Sequence, residues 1–210
     1  MGSYRKRDMD VEREIAKFLD KYLYSNPIFT KKTRTDDAES QLNGSDIILS
    51  IPSKNLHDIV VDEKAATQYI NKGLPTFALE LSFVVGGKVV DGWFVDDNKD
   101  TEYYEFQWIK ADTNDTWNLK EKDITEVEYM LVSKQAIRDY LSQQGYSVEK
   151  LKEKAKDIRE IGKDGQAEKE IGKSYWFFNS TRLAEKPINL ILHKKELEKL
   201  ASIHEVIKRP

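Results

Sequence analysis

The chain has 210 residues, 34% of them charged and 39% apolar, with a formal net charge of −3, enough chain for one sizeable core and too polar a composition for a membrane protein or a disordered one. It contains no cysteine and only three widely separated histidines, His57, His193 and His204, which excludes disulfides, thiol catalysis, thiolate zinc sites and a histidine-rich metal centre and leaves carboxylates as the available metal ligands. The slight acidity argues against a protein that coats nucleic acid by charge alone. No stretch reaches transmembrane length and the basic opening "MGSYRKRDMD" has no apolar segment, so a cytoplasmic protein without membrane partners is expected.

"DVEREIAKFLDKYLYSNP" predicts an amphipathic helix over about 10–24, capped by Asp10, with Val11, Ile15, Phe18, Leu19 and Tyr22 on one side and Asn26-Pro27 as its stop. "TKKTRT", from Thr30 to Thr35, is a basic patch with no acid until Asp36, so Lys31, Lys32 and Arg34 are the expected nucleic-acid contacts. "DIILSI" and "DIVVDEKA" are β-branched runs around the turn region "PSKNLH" and predict a hairpin. A third strand, "TFALELSFVV", ends at Gly86-Gly87. "KVVDGWFVDD" and "TEYYEFQWIKA" then predict a second, aromatic-rich hairpin, whose Trp93, Phe94, Tyr103, Tyr104, Phe106 and Trp108 suit cross-strand packing better than base stacking.

The last third reads as mostly helical. "EYMLVSKQAIRDYLSQQG" gives a strand, a Ser133 cap and a helix ended by Gly145; "SVEKLKEKAKDIREIGKDG" gives a second helix with a solvated basic face. "EIGKDGQAEKEIGKSYWFFNSTRLAEKP" reads as a glycine-punctuated mobile loop, and "NLILHKKELEKLA" as another strand followed by a helix. The expectation is one domain over 1–210, with its core at about 10–110 and a strand and helix elaboration at about 125–210.

The chemistry concentrates in "GSDIILSIPSKNLHDIVVDEKAA", residues 44–66. Strand residues two apart share a face, so Val60, Asp62 and Lys64 point one way and Ile59, Val61 and Glu63 the other. The short connection brings Asp46, at the start of the preceding strand, towards Asp62. Two converging carboxylates cannot both ionise cheaply without a cation between them, and one or two carboxylates with water and a substrate phosphate is the usual setting for Mg²⁺. Lys64 is then placed to orient or activate a water whose pKa the metal lowers. The ordinary alternative is a same-face salt bridge between Asp62 and Lys64, with Asp46 capping a turn.

"GSDIIL" followed by "IVVDEKAA" resembles the G-x-D … (D/E)-x-K signature of the PD-(D/E)xK nuclease superfamily, which includes restriction endonucleases, Holliday junction resolvases and phage or repair exonucleases. The likeness covers roughly the first eighty residues, with Ser45 where the signature has proline. It implies an α/β protein (α+β, mixed sheet) with a restriction endonuclease-like αβββαβ core, to which the aromatic-rich hairpin and C-terminal helices are added. By position it implies Asp46 and Asp62 as metal ligands, Lys64 as the catalytic lysine, and Glu63 as the variable middle residue and a further candidate ligand. Glu14, with Glu39 as a rival, answers to the glutamate that members carry on the first helix, and Gln68 to a glutamine near the scissile phosphate. The implied function is a Mg²⁺-dependent deoxyribonuclease, with Mn²⁺ as substitute, DNA as partner and a homodimer if both strands are cut. The alternative is a catalytically silent nucleic-acid-binding or protein-interaction module on the same fold.

Overall fold

The computed structural model describes residues 2–35, 43–169 and 174–210, with side chains from Met9 onward except at 168 and 169. Among these are four α-helices: α1 (Gly2–Tyr22), α2 (Lys134–Gln143), α3 (Val148–Ile161) and α4 (Lys194–Leu200). The strands are β1 (Lys31–Arg34), β2 (Ile47–Ile51), β3 (Leu56–Ala65), β4 (Thr76–Val85), β5 (Lys88–Asp91), β6 (Tyr103–Ala111), β7 (Ile124–Ser133), β8 (Gly165–Lys169), β9 (Tyr175–Asn179), β10 (Ile188–His193) and β11 (Ala201–Lys208). They make two sheets, and the mixed α/β class expected from the sequence is found. Among the described residues no helix is long and apolar enough to cross a membrane.

The residues group into two compact units, which divide the core expected over 10–110 between them. The first comprises Met1–Leu74, Thr101–Val132 and Ala201–Pro210. Its sheet runs β1-β2-β3-β6-β7-β11. The predicted hairpin is present: β2 and β3 pair antiparallel with Ile47 opposite Val61 and Leu49 opposite Ile59. These four face α1, whose Val11, Ile15, Phe18 and Leu19 are buried against them in one core with Ile109, Leu119, Ile124 and Val127. Burial of each such large side chain stabilises by about 1.5–3 kcal/mol, so the apolar stripe fixes which side of α1 meets the sheet. The helix is longer than its apolar pattern at the N-terminus, starting at Gly2 rather than after Asp10.

The second hairpin does not form. β5 pairs with β4 instead, Ser82 opposite Asp91 and Val84 opposite Val89, while β6 lies parallel to β3 in the other sheet, with Asp62 opposite Tyr104 and Lys64 opposite Phe106. Two physical features explain the difference. Gly92 lies so close to Glu80 that a Cβ there would stand 2.4 Å from the Glu80 carbonyl oxygen, and the Val95 N–H turns back to the Gly92 carbonyl at 3.1 Å, which ends β5 before the aromatic pair. Tyr104 to Trp108, in turn, is buried without alternation, as suits an interior strand with a parallel neighbour rather than a half-solvated hairpin arm.

The second unit comprises Pro75–Asp100 and Ser133–Leu200. Its antiparallel sheet runs β5-β4-β10-β9-β8, and α3 packs on β4 and β10 through Leu151, Ala155 and Ile158. The Ser133 cap is present, its Oγ accepting from the Ala136 N–H at 3.4 Å. The segment read as a mobile loop instead holds β8 and β9: Tyr175, Phe177 and Asn179 are buried while Trp176 and Phe178 are less so, a strand alternation masked in the sequence by its glycines. The first unit likewise holds two unexpected strands. β1 is the basic "KKTR" on the sheet's edge, and β11 pairs antiparallel with β7. Between β3 and β6 the first unit has only the short turn Thr67–Tyr69 in place of a core helix, and α2 belongs to the second unit.

Candidate functional site

Asp46 stands one residue ahead of β2 and is fixed by its backbone. Its N–H donates to the Val61 carbonyl at 2.9 Å and its carbonyl accepts from the Thr35 N–H at 3.0 Å. One carboxyl oxygen accepts the Glu63 N–H at 2.8 Å, which turns the side chain towards β3, where it is hydrogen-bonded to Asp62. Two carboxyls share a hydrogen bond only if one carries a proton. Burial and then the Asp62 charge push Asp46 up to about 8, so the proton sits where a cation is expected.

The Lys64 ammonium closes the group at 2.6 Å from Asp62 Oδ1. Asp62 is 4% exposed, and the lysine side chain keeps 25% of its surface. Burial alone would lower the Lys64 pKa; the charges of Asp62 and Asp46, the hydrogen bond to Asp62 and the field of Glu12 outweigh it and raise the pKa above its usual value. The three residues expected to converge therefore do so, with the lysine held charged.

Glu63 takes the opposite face of β3, as its odd position requires. Its carboxylate receives Arg34 Nη1 at 2.8 Å and Nη2 at 3.3 Å and the Tyr24 hydroxyl at 2.7 Å. That hydroxyl is also 2.8 Å from Glu105. It has one proton for two carboxyls, so one of them donates to it; Glu105, 1% exposed and pushed up to about 8 by burial and by Glu63, is that acid. Gln107 Nε2 donates to the other Glu105 oxygen at 3.1 Å. Asp46, Glu63, Glu12, Arg34 and Gln107, with the apolar Met9, Ile15, Ala16 and Ala65, line one cavity of about 230 Å³.

The remaining expected residues lie elsewhere. Glu14 is bound to Lys17 at 2.6 Å and to the Glu121 N–H at 2.9 Å; Glu12, two residues earlier, is the helix acid on the cavity. Glu39 lies outside the described residues. Gln68 is exposed on the turn after β3. Arg34 is turned inward to Glu63 and to both oxygens of Asp20, at 2.8 and 2.9 Å. Lys31 pairs with Asp58 at 3.1 Å and Lys32 donates to the Tyr24 carbonyl, both remaining exposed. Glu12, Tyr24, Glu105 and Gln107 were not singled out by the sequence; a buried glutamate and glutamine two apart in an apolar strand, "YYEFQWI", is the signal that could have found the last two.

Among the described residues no group of three or more His, Asp or Glu side chains is gathered closely enough to hold a metal unaided. Asp46 and Asp62 still suit Mg²⁺, which binds through one or two carboxylates and completes its shell with water and substrate oxygens. Comparison with protein-family models, curated proteins and solved structures gives no match for this chain.

Proposed function

We propose that the first unit is a metal-dependent phosphodiesterase that hydrolyses DNA. The observation that carries this reading is the convergence of Asp46, held by the Glu63 N–H at 2.8 Å, with Asp62, which takes the Lys64 ammonium at 2.6 Å. Around it, the succession of α1, β1, β2 and β3 followed by a strand parallel to β3 agrees with the αβββαβ nuclease core, though with a turn where that core has its second helix. Asp46 and Asp62 would hold Mg²⁺ or Mn²⁺, which when bound lowers the pKa of a water and stabilises charge at phosphorus.

The chain's own groups set the rest of the reaction. The water gives a proton to solvent and its oxygen bonds to phosphorus as the P–O bond to the leaving sugar oxygen breaks, and that oxygen takes a proton from solvent. Lys64, raised rather than lowered in pKa, cannot serve readily as a base; it donates hydrogen bonds to the water or to a phosphate oxygen and balances the negative charge that builds there. Of the three cations expected to contact phosphate, Lys31 and Lys32 remain exposed on the edge strand, whereas Arg34 orders Glu63.

A second reading, a silent nucleic-acid-binding module, draws on the Lys64–Asp62 pair itself, since so short a contact also suits a structural ion pair. Calorimetric titration with Mg²⁺ and Mn²⁺ separates the two. The enzyme reading expects binding by the wild type and its loss in Asp62→Asn and Asp46→Asn; equal absence of binding in all three proteins would favour the silent module.

A further inference from the structure

We propose that the second unit binds the carboxylate end of a peptide with apolar terminal residues, in a cavity of about 380 Å³ at the C-terminal end of α3. Val84, Arg159, Gly162, Asn179, Thr181 and Lys186 line it. Arg159 Nη2 donates to Ser82 Oγ at 2.8 Å, so Ser82 and, two residues on, Val84 share the face of β4 that is turned to the helix. Val89 is the cross-strand partner of Val84 and stands on that face too. The helix stops at Ile161, before it has covered them: Val89 is 57% exposed and Ile161 76%. Leu183, 56% exposed, sits on the turn between Ser180 and Lys186, its N–H donating to the Ser180 carbonyl at 3.2 Å. The cavity thus has exposed apolar side chains beside it on three elements, which is the mark of a surface that meets a partner.

The polar lining selects the ligand. Two of its buried atoms have no hydrogen-bond partner, Arg159 Nε and Asn179 Oδ1, the first a donor and the second an acceptor. Asn179 is itself 2% exposed, and its Nδ2 is held by the Lys163 carbonyl at 3.1 Å, so the amide does not gain by turning over. The Arg159 Nη1 donates to the Lys186 carbonyl at 3.0 Å, and burial lowers the Arg159 pKa with no acid to oppose it. A partly buried guanidinium without an acid suits a carboxylate, and the exposed Lys186 adds a second cation. Asp164 does not cancel them, being taken up by the Thr181 N–H and hydroxyl at 2.9 and 2.7 Å and by Arg182 at 2.9 Å. A phosphate suits the place less well, because the last carbonyls of α3 carry partial negative charge and favour a monoanion with an N–H beside it. The last residue of a peptide is such a group, with its carboxylate towards Arg159 and Lys186, its N–H for Asn179 Oδ1 and its side chain for Val84, Val89 and Ile161. A free amino acid is disfavoured, since its ammonium would stand among cations.

The test measures, by fluorescence anisotropy, binding of a fluorescein-labelled hexapeptide that ends in two leucines, with a free carboxylate or as its C-terminal amide, to the full chain as wild type, Arg159→Gln, Lys186→Gln and Ile161→Ser. The wild type is expected to hold the free carboxylate roughly 10- to 100-fold more tightly than the amide, the effect of a charged hydrogen bond. Arg159→Gln and Lys186→Gln should narrow that gap, and Ile161→Ser should weaken both peptides alike. Because Arg159 also ties α3 to Ser82, the exposed Lys186 and Ile161 decide the matter if the Arg159 variant melts early. Equal affinity for the two peptides, no binding of either, or binding unchanged in Lys186→Gln and Ile161→Ser would overturn the proposal. Displacement of the peptide by leucine as readily as by N-acetyl-leucine would overturn it as well.

Discussion

Asp46→Asn should stabilise the metal-free protein, and only at high pH. The Asp46 carboxyl is pushed from an ordinary 3.8 up to about 8 by burial and by Asp62. At any pH between those values the folded chain holds a proton that the unfolded chain has released, so stability falls as pH rises from about 4 to about 8 and levels off above. At about 1.4 kcal/mol per pH unit, the interval from pH 5 to pH 8 carries a ceiling of about 4 kcal/mol. Asparagine reproduces the protonated acid: its Oδ1 can accept the Glu63 N–H, its Nδ2 can donate to Asp62, and it has no proton to lose. In EDTA the variant should be close to wild type at pH 4.5 and more stable by about 2–4 kcal/mol at pH 8, roughly 5–15 °C in melting temperature for a chain of this size. Thermal unfolding followed by far-UV circular dichroism at the two pH values reads this directly. A difference of the same size at both would refute the shared-proton account, and excess Mg²⁺ at pH 8 should narrow the gap by stabilising the wild type alone.

Glu12→Gln should lower metal-dependent cleavage, measured as initial rate against Mg²⁺ concentration, while Glu14→Gln should leave it unchanged and cost at most about 1 kcal/mol through the lost ion pair with Lys17, since the glutamine oxygen can still accept the Glu121 N–H. Tyr24→Phe removes the hydroxyl between Glu63 and Glu105 and should destabilise by about 1–3 kcal/mol; urea unfolding identical to wild type would show that the two carboxyls do not depend on it. Gly92→Ala puts a methyl group 2.4 Å from the Glu80 carbonyl oxygen and should cost about 1–3 kcal/mol, read as a lower melting temperature, whereas Gly145→Asn, whose surroundings are open but whose φ of +91° strains any side chain, should cost about 1 kcal/mol.

Local patterns of side chains made part of this legible from the residues alone. Asp46 and Asp62 meet because two β-branched runs and a short turn specify an antiparallel pair, and period two then places Lys64 beside Asp62 and Glu63 across the strand. What depends on distant partners was hidden. The parallel pairing of β3 with β6 is made across a long excursion into the second unit, and β1 carries no apolar residue to mark it as a strand. The helix acid was ambiguous for a geometric reason. At about 100° per residue, Glu12 and Glu14 flank the apolar stripe of α1 on opposite sides, and only the packed helix tells which flank meets the cavity. Arg34 was read as a DNA contact because its acid partners, Asp20 and Glu63, are distant in sequence.

The most direct test of the phosphodiesterase proposal is cleavage of supercoiled, linear, single-stranded and branched DNA with Mg²⁺, Mn²⁺ or EDTA by wild type, Asp62→Ala and Lys64→Ala. Cleavage by the wild type that requires the metal and is lost in both variants is the expected result. A wild type as inert as its variants across the whole panel, or cleavage that survives in EDTA and in both variants, would contradict it.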